Sequence, residues 1–233
     1  MLIFDCDGVL LDSEIIAERV VLKHLQNVLS SHNDKSISHE KYSLREWLAD
    51  AIGQDSEKIL EQFSELAKIP LPNDSLKILE QTLEKALSNE VLSIDGMKRL
   101  LESIEGVWVI ASNSSLCRLR ISLAKAEMLD LCKSRLFSSE MVKRPKPAPD
   151  LYLHIATKFN MHVDNCVVIE DSPAGIRSVI QAGMRVIGFS GGSHITPRRI
   201  ELLRQAGAID IVKTADELTE LIKKSIKGNP FKI

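Results

Sequence analysis

The sequence predicts an α/β fold in which a doubly wound parallel sheet is interrupted by one all-helical insertion. Short apolar runs rich in Val and Ile are typical of strands buried on both faces of a parallel sheet. Four such runs occupy residues 2–5, 107–112, 166–170 and 185–189. Apolar residues recur at helical spacing between the later runs, and this alternation of strand and helix predicts a Rossmann-like sheet covered by helices. Residues 13–92, by contrast, show helical spacing alone.

The helical stretch is predicted to be a separate small domain inserted into the core. Polar breaks near residues 30–36 and 70–73 divide it into about four helices, which is enough to close a small apolar core. We therefore predict a core domain of residues 1–13 and 92–233 and a helical cap domain of residues 14–91.

Charge and hydropathy exclude two classes of partner. The chain has 30 Lys and Arg against 32 Asp and Glu, a formal net charge of −2. A nucleic-acid-binding protein usually has a basic excess, so no nucleic-acid partner is expected. No apolar run reaches the length of a membrane span, so no membrane partner is expected either. We expect a monomer or a weak dimer.

The cysteines and histidines do not form a metal site in the sequence. The four cysteines lie far apart without a CxxC pair, which indicates reduced, buried thiols and a cytoplasmic location. The six histidines are scattered and lack the spacing of metal ligands. Any metal is therefore expected to be held by oxygen atoms.

Two carboxylates directly follow the first predicted strand. Asp5 and Asp7 lie on either side of Cys6, and Gly8 permits a tight turn away from them. Ligands of open α/β sheets bind at the carboxyl ends of the strands, where these acids lie. Two acids so close repel each other, so a cation or a shared proton is expected between them.

Three further polar segments come at or near the ends of later strands. Ser112 and Asn113 end the second run and can offer a hydroxyl and backbone N–H groups to a phosphate. Lys146 begins a Lys-Pro-Ala-Pro-Asp segment and offers a compact positive charge. Glu170 and Asp171 end the third run, where unpaired acids would be costly without a cation.

These segments together resemble the haloacid dehalogenase superfamily. Residues 4–14 read Phe-Asp-Cys-Asp-Gly-Val-Leu-Leu-Asp-Ser-Glu and resemble its motif I. Residues 109–114, 146–150 and 167–176 resemble motifs II, III and IV in the required order, and the helical insertion follows motif I as it does in subclass I members. One departure is Pro145, which stands where motif III usually has glycine.

The resemblance implies a phosphatase that forms an aspartyl phosphate. Asp5 would be the nucleophile, and Asp7 would protonate the leaving oxygen and later activate water. Ser112, the amide of Asn113 and Lys146 would hold the transferring phosphoryl group. The presence of Asp7 disfavours the carbon–halogen and phosphonate-cleaving branches, whose motif I lacks this second acid.

The resemblance also implies Mg²⁺ as the cofactor. The metal ligands would be the side chain of Asp5, the backbone carbonyl of Asp7 and the side chain of Asp171, with Glu170 near or in the shell. Oxygen donors of this kind suit Mg²⁺.

The partner implied is a small phosphorylated metabolite, such as a sugar phosphate, polyol phosphate or sugar-acid phosphate. The cap is expected to set specificity. The candidate substrate-binding residues are Lys41, Ser43 and Arg45, on a loop expected to precede a helix that carries Trp47.

Two other functions remain open at this point. A phosphomutase similar to β-phosphoglucomutase would share every core motif, and a catalytically inactive domain could serve as a binding or regulatory module. Such mutases carry a histidine shortly after motif I, and the corresponding residue here is Ala17. This alanine favours water as the phosphoryl acceptor, and the intact acids argue against an inactive module.

Overall fold

A computed structural model describes residues 1–31, 41–51 and 55–227, with the backbone alone for residues 41–43, 49–50 and 224–227. In this part of the chain six strands form one sheet. They are β1 (Leu2–Phe4), β2 (Trp108–Ser112), β3 (Leu136–Ser138), β4 (Val167–Glu170), β5 (Arg185–Phe189) and β6 (Asp210–Val212). All neighbouring strands are parallel, in the order β3-β2-β1-β4-β5-β6. This is a doubly wound order, and the predicted fold class is confirmed.

Strand residues alternate between two apolar cores, one on each face of the sheet. Leu2 and Phe4 belong to one core and Ile3 to the other. Phe4 lies opposite Ile110 of β2 and Ile169 of β4, which face the same side. Because all of these side chains are buried, the strands read as continuous apolar runs in the sequence.

Four of the described helices lie within the predicted cap, between β1 and residue 91. They are α1 (Glu14–Ser31), α2 (Lys41–Ala51), α3 (Ser56–Ala67) and α4 (Ser75–Glu90). Leu25, Phe63 and Leu79 are fully or almost fully buried, and they join the core on the Phe4 face of the sheet. The predicted cap boundaries at residues 14 and 91 stay a prediction.

The remaining helices cover both faces of the sheet. They are α5 (Met97–Ser103), α6 (Leu116–Lys125), α7 (Leu129–Cys132), α8 (Asp150–Lys158), α9 (Pro173–Gln181), α10 (Pro197–Ala206) and α11 (Ala215–Lys227). Helices α8, α9 and α10 bury side chains against the Ile3 face, and α5, α6, α7 and α11 do so against the Phe4 face. None of the helices in the described ranges combines the length and apolar character that a membrane span requires.

Two details differ from the sequence analysis. The edge strands β3 and β6 were not predicted, because each has only two consecutive apolar residues, bounded by polar ones, and so leaves no apolar run. The segment expected to be a loop at residues 41–45 is the start of α2. Leu44 and Leu48 are both buried, so the apolar spacing that orients this helix already begins within the supposed loop.

Candidate active site

The sequence-predicted acids meet at the carboxyl ends of the three central strands. Asp5 directly follows β1, Ser112 ends β2 and Glu170 ends β4. The Asp5 backbone N–H donates to the Ile169 carbonyl at 2.9 Å, which continues the ladder and fixes Asp5 between its neighbours. Because the strand order reverses beside β1, this edge opens into the crevice where doubly wound folds bind ligands.

Three carboxylates form a buried acidic cluster at this edge. One ligand atom each from Asp5, Glu170 and Asp171 lies within 4.8 Å of the others, and all three residues are buried. Burial raises the pKa of Asp5 well above its usual range, with Lys146 opposing this and the neighbouring acids adding to it. Burial likewise raises the pKa of Asp171. A cation would relieve this repulsion, and the oxygen atoms present could hold a divalent one.

Lys146 places a positive charge inside the acidic cluster. Its Nζ donates to Asp5 Oδ1 at 2.6 Å, to Glu170 Oε1 at 2.7 Å and to the Ala111 carbonyl at 2.8 Å. Burial works against the charged ammonium, but the two carboxylates outweigh it and raise the pKa of Lys146 well above its usual range. The lysine is therefore charged and held by three acceptors beside the expected nucleophile.

Asn113 holds the backbone of Lys146 in place. Its Oδ1 accepts from the Lys146 N–H at 3.0 Å, and its Nδ2 donates to the Lys146 carbonyl at 3.2 Å. From the sequence, only the backbone amide of Asn113 was expected to have a role, as a donor to a phosphate. This two-way clamp shows that Pro145, the departure from the motif, is compatible with a lysine that reaches the acids.

Asp7 is surrounded by hydroxyl groups. Its Oδ1 accepts from Ser13 Oγ at 2.8 Å, and its Oδ2 accepts from Ser112 Oγ at 3.0 Å and from Ser114 Oγ at 2.9 Å. Ser112, which was expected to face a phosphate, thus bonds to Asp7. Three donors fix the orientation of Asp7, as a group that transfers protons requires.

Asp171 packs against a glycine and a histidine. A Cβ atom on Gly8, whose φ is +78°, would lie only 1.7 Å from Asp171 Oδ2, so no other residue fits in this turn. On its other side, the buried His194 places Nε2 3.0 Å from Asp171 Oδ2. Burial lowers the pKa of His194, but contact with Asp171 outweighs this and raises it above its ordinary value. Both neighbours restrict the position of the Asp171 carboxylate.

Glu170 is saturated with donors. Besides Lys146, its Oε1 accepts from Tyr152 Oη at 2.8 Å, and its Oε2 accepts from Ser172 Oγ at 3.1 Å. Ser172 is also the N-cap of α9, where its Oγ accepts from the Gly175 N–H at 3.0 Å. The helix start and the acid are therefore held by the same hydroxyl.

The cluster forms the floor of a cavity of about 390 Å³ between the core and the cap helices. Acids, serines and Lys146 line the core side. The lining residues on the cap side come from α1, from the start of α3 with the residue before it, and from one face of α4. They are Glu14, Ala17, Val21, Asp55, Ser56, Glu57, Ile59, Leu76, Glu80, Leu83 and Leu87.

The cap residues expected to bind substrate are not brought to this cavity where they can be described. Arg45 is exposed on α2 and is not among the lining residues. The side chains of Lys41 and Ser43 lie outside the described part of the structure. The lining instead comes from helices that the sequence analysis did not single out, because their spacing reads as an ordinary amphipathic pattern.

Sequence reasoning also missed two buried partners of the acids. Tyr152 reads as an apolar position of α8, and only the fold shows its hydroxyl on Glu170. His194 gave a usable signal, since it follows β5 through Gly191, Gly192 and Ser193 and so lies at another strand end. His194 was not predicted, because the histidines were judged only by whether they have the spacing of metal ligands.

Comparison with known proteins agrees with this arrangement. A family model described as haloacid dehalogenase-like hydrolase matches residues 1–183. The 6-phosphogluconate phosphatase of Escherichia coli (strain K12) is 29% identical over 195 residues, covering 83% of this chain and 84% of that protein. Hexitol phosphatase A of the same organism is 29% identical over 208 residues, covering 86% and 87%.

A solved structure extends the similarity to the whole fold. A conserved haloacid dehalogenase-like protein of unknown function from Agrobacterium tumefaciens superimposes with a TM-score of 0.79 at 35% sequence identity, covering 97% of this chain and 98% of that one. The resemblance inferred from the four motifs is thereby confirmed. With its acids at the switch of a doubly wound sheet and helices above them, the chain belongs to the haloacid dehalogenase-like hydrolase family.

Proposed function

We propose that this chain is a Mg²⁺-dependent phosphatase that hydrolyses a small phosphomonoester, such as a sugar, polyol or sugar-acid phosphate. One observation carries the proposal: Asp5 lines the cavity with Lys146 Nζ on its Oδ1 at 2.6 Å, and Asp7 lines the same cavity two residues later. A nucleophile, a charge-neutralising cation and an acid–base group thus face one space. Phosphoryl transfer needs little else from a protein.

In the first half-reaction, a carboxylate oxygen of Asp5 attacks phosphorus in line with the leaving oxygen. The bond from phosphorus to that oxygen breaks, and Asp7 donates its proton to the leaving alkoxide. In the second half-reaction, Asp7 takes a proton from a water molecule that attacks the aspartyl phosphate. Inorganic phosphate leaves and the Asp5 carboxylate is restored.

The remaining residues orient these groups and balance charge. Lys146 neutralises the phosphoryl oxygens and the backbone amide of Asn113 holds them. The Ser112 hydroxyl, which donates to Asp7 in this structure, would donate to a phosphoryl oxygen instead when substrate is bound. The ligands proposed for Mg²⁺ are the carboxylates of Asp5 and Asp171 and the backbone carbonyl of Asp7, with Glu170 near the shell. When bound, Mg²⁺ would withdraw charge from the phosphoryl group. The buried acidic cluster supports this assignment, because its repulsion calls for a cation.

The mutase alternative is less well supported. Ala17 lies on α1 and lines the cavity, so the position that carries a histidine in such mutases here offers only a methyl group. An alanine cannot bond to Asp7 and make its action depend on a bound sugar. Water is therefore the proposed acceptor. The intact cluster of Asp5, Lys146 and Asp171 argues against an inactive binding module.

The test is a magnesium-dependent screen of phosphorylated metabolites that measures inorganic phosphate and isomerised sugar phosphate together. Sugar monophosphates are supplied with Mg²⁺ and a trace of a bisphosphate primer. The expected result is phosphate release that exceeds isomerisation and disappears in excess chelator. Isomerisation that outpaces phosphate release would establish the mutase instead.

A further inference from the structure

The charge balance of the cavity restricts what the leaving group can be. Of the described side chains that line it, two are basic, Lys146 and Arg118. Lys146 is engaged with Asp5 and Glu170 at the floor, where the phosphoryl group is proposed to bind. The positive charge that could bind the rest of a substrate is therefore that of Arg118.

Arg118 is already paired with an acid of the cap. Arg118 lies in the first turn of α6, directly after the Ser112 to Ser115 segment. Its backbone N–H donates to Ser115 Oγ at 3.2 Å. Its Nη2 forms an ion pair with Glu80 Oε2 of α4, and 17% of the arginine side chain is exposed. The pair joins the core to the cap at the side of the cavity. Its Nε is buried without a partner among the described atoms.

Glu80 is the polar member of an otherwise apolar face. Leu76, Leu83 and Leu87 line the cavity from the same side of α4. The Glu80 side chain is 33% exposed, and its contact with Arg118 gives the carboxylate an opposite charge beside the leucines. The pairing also neutralises the cation that could bind a second anionic group.

The rest of the upper lining favours hydroxyl groups. Asp55 and Glu57 lie at the start of α3, and Glu140 lies on the core side. Carboxylate oxygens accept hydrogen bonds from alcohols, whereas a substrate carboxylate would face three like charges here. One oxygen of Asp55 and one of Glu140 each accept a backbone N–H at a helix start, and exclusion by like charge is a common source of selectivity.

We infer that the Glu80–Arg118 pair makes this site selective for phosphates of uncharged polyhydroxy compounds, polyols or sugars, over phosphates of sugar acids. The inference rests on the proposed phosphatase function and deepens it. Percentage identity does not make this choice, because the 6-phosphogluconate phosphatase and hexitol phosphatase A are both 29% identical to this chain.

Two probes isolate the charge of the leaving group. Glucitol 6-phosphate and 6-phosphogluconate share one carbon skeleton and differ at the terminal carbon, an alcohol in one and a carboxylate in the other. For the wild-type chain with Mg²⁺, kcat/KM is expected to be at least about tenfold higher for the alcohol, the effect of one charged contact. If neither compound turns over, their competition constants against p-nitrophenyl phosphate are compared instead.

Glu80→Gln keeps the size of the side chain, removes its charge and releases Arg118. This variant is expected to lower the ratio of kcat/KM for the alcohol over the acid by about tenfold, mainly through a lower KM for the acid. Adding Arg118→Gln should remove that gain, because the freed guanidinium is what would bind the carboxylate. Glu84→Gln, one turn further along α4 and outside the cavity lining, is the control and should leave the ratio within about twofold.

The outcomes separate this inference from the proposed function. Absence of Asp5-dependent phosphate release from every phosphomonoester contradicts both. Asp5-dependent release with a wild-type preference for the acid, or a ratio that Glu80→Gln does not move in a folded variant, overturns the inference alone. Thermal melts of each variant verify the fold.

Discussion

The two sides of the cavity are built on different principles. On the core side, Asp5, Ser112 and Glu170 extend directly from buried parallel strands, and each is fixed by hydrogen bonds to other side chains or backbone groups of the core. On the cap side, the lining comes from a helix face of leucines with Glu80 as its polar member on α4. Strand ends hold reacting groups in a rigid position, whereas single residues on a helix face can be substituted without moving those groups. The chemistry is therefore expected to depend on the core side, and selectivity on the cap side.

The largest effect is expected from Asp5→Asn. The amide keeps the shape of the side chain but lacks the nucleophilic charge, so phosphate release should fall by at least about 1000-fold. Steady-state release and far-UV circular dichroism measure activity and fold. Asp95→Asn, which changes an exposed carboxylate outside the cavity lining, is the control and should be fully active. Retention of more than a few per cent of activity by Asp5→Asn would exclude Asp5 as the nucleophile.

A second large effect is expected from Lys146→Met. The variant leaves two buried carboxylates, Asp5 and Glu170, without their cation, so activity should fall by about 100-fold or more and the free energy of unfolding by about 3–5 kcal/mol. Denaturant melts with and without Mg²⁺ measure this, and Mg²⁺ should restore part of the stability. Lys143→Met, an exposed neighbour, should match the wild type. A stable and active Lys146→Met would show that the cluster does not need this charge.

The metal requirement should change with Asp171→Ala. Because this variant removes one of the proposed ligands, the Mg²⁺ concentration for half-maximal activity should rise by about tenfold or more. Ca²⁺ should inhibit the wild type, since it prefers more ligands at longer distances. Titrations of activity and of Mg²⁺-dependent Tm give two independent readouts. A titration that Asp171→Ala leaves unchanged would remove Asp171 from the ligand set.

The same contrast explains what the sequence could predict. The central strands were predicted because burial on both faces makes each a continuous apolar run, and the acids were found because they end those runs. The edge strands β3 and β6 do not form such a run, since each has only two apolar residues and Asp210 of β6 is exposed. The core side of the site is therefore readable from local sequence.

The cap side depends on tertiary packing, which a local pattern does not contain. Glu80 is one of many charged residues on helices, and its partner Arg118 is 38 residues away. On the core side, Tyr152 is likewise found only through the fold, since it reaches Glu170 from α8. Basic character alone pointed to residues 41–45, and the structure shows an exposed Arg45 there.

The smallest effect is therefore expected from Arg45→Ala. Arg45 lies on α2, while the described cap residues that line the cavity come from α1, α3, α4 and the residues just before α3. An exposed charge outside the cavity is screened by solvent, so kcat/KM for a polyol phosphate should stay within about twofold of the wild type. Initial rates over a range of substrate concentrations, at two ionic strengths, measure this. A decrease in kcat/KM of tenfold or more that comes from a higher KM and becomes smaller at high salt would show that α2 contacts the substrate. The proposal that α4 determines selectivity and α2 does not would then fail. The core chemistry that depends on Asp5 and Lys146 would be unaffected.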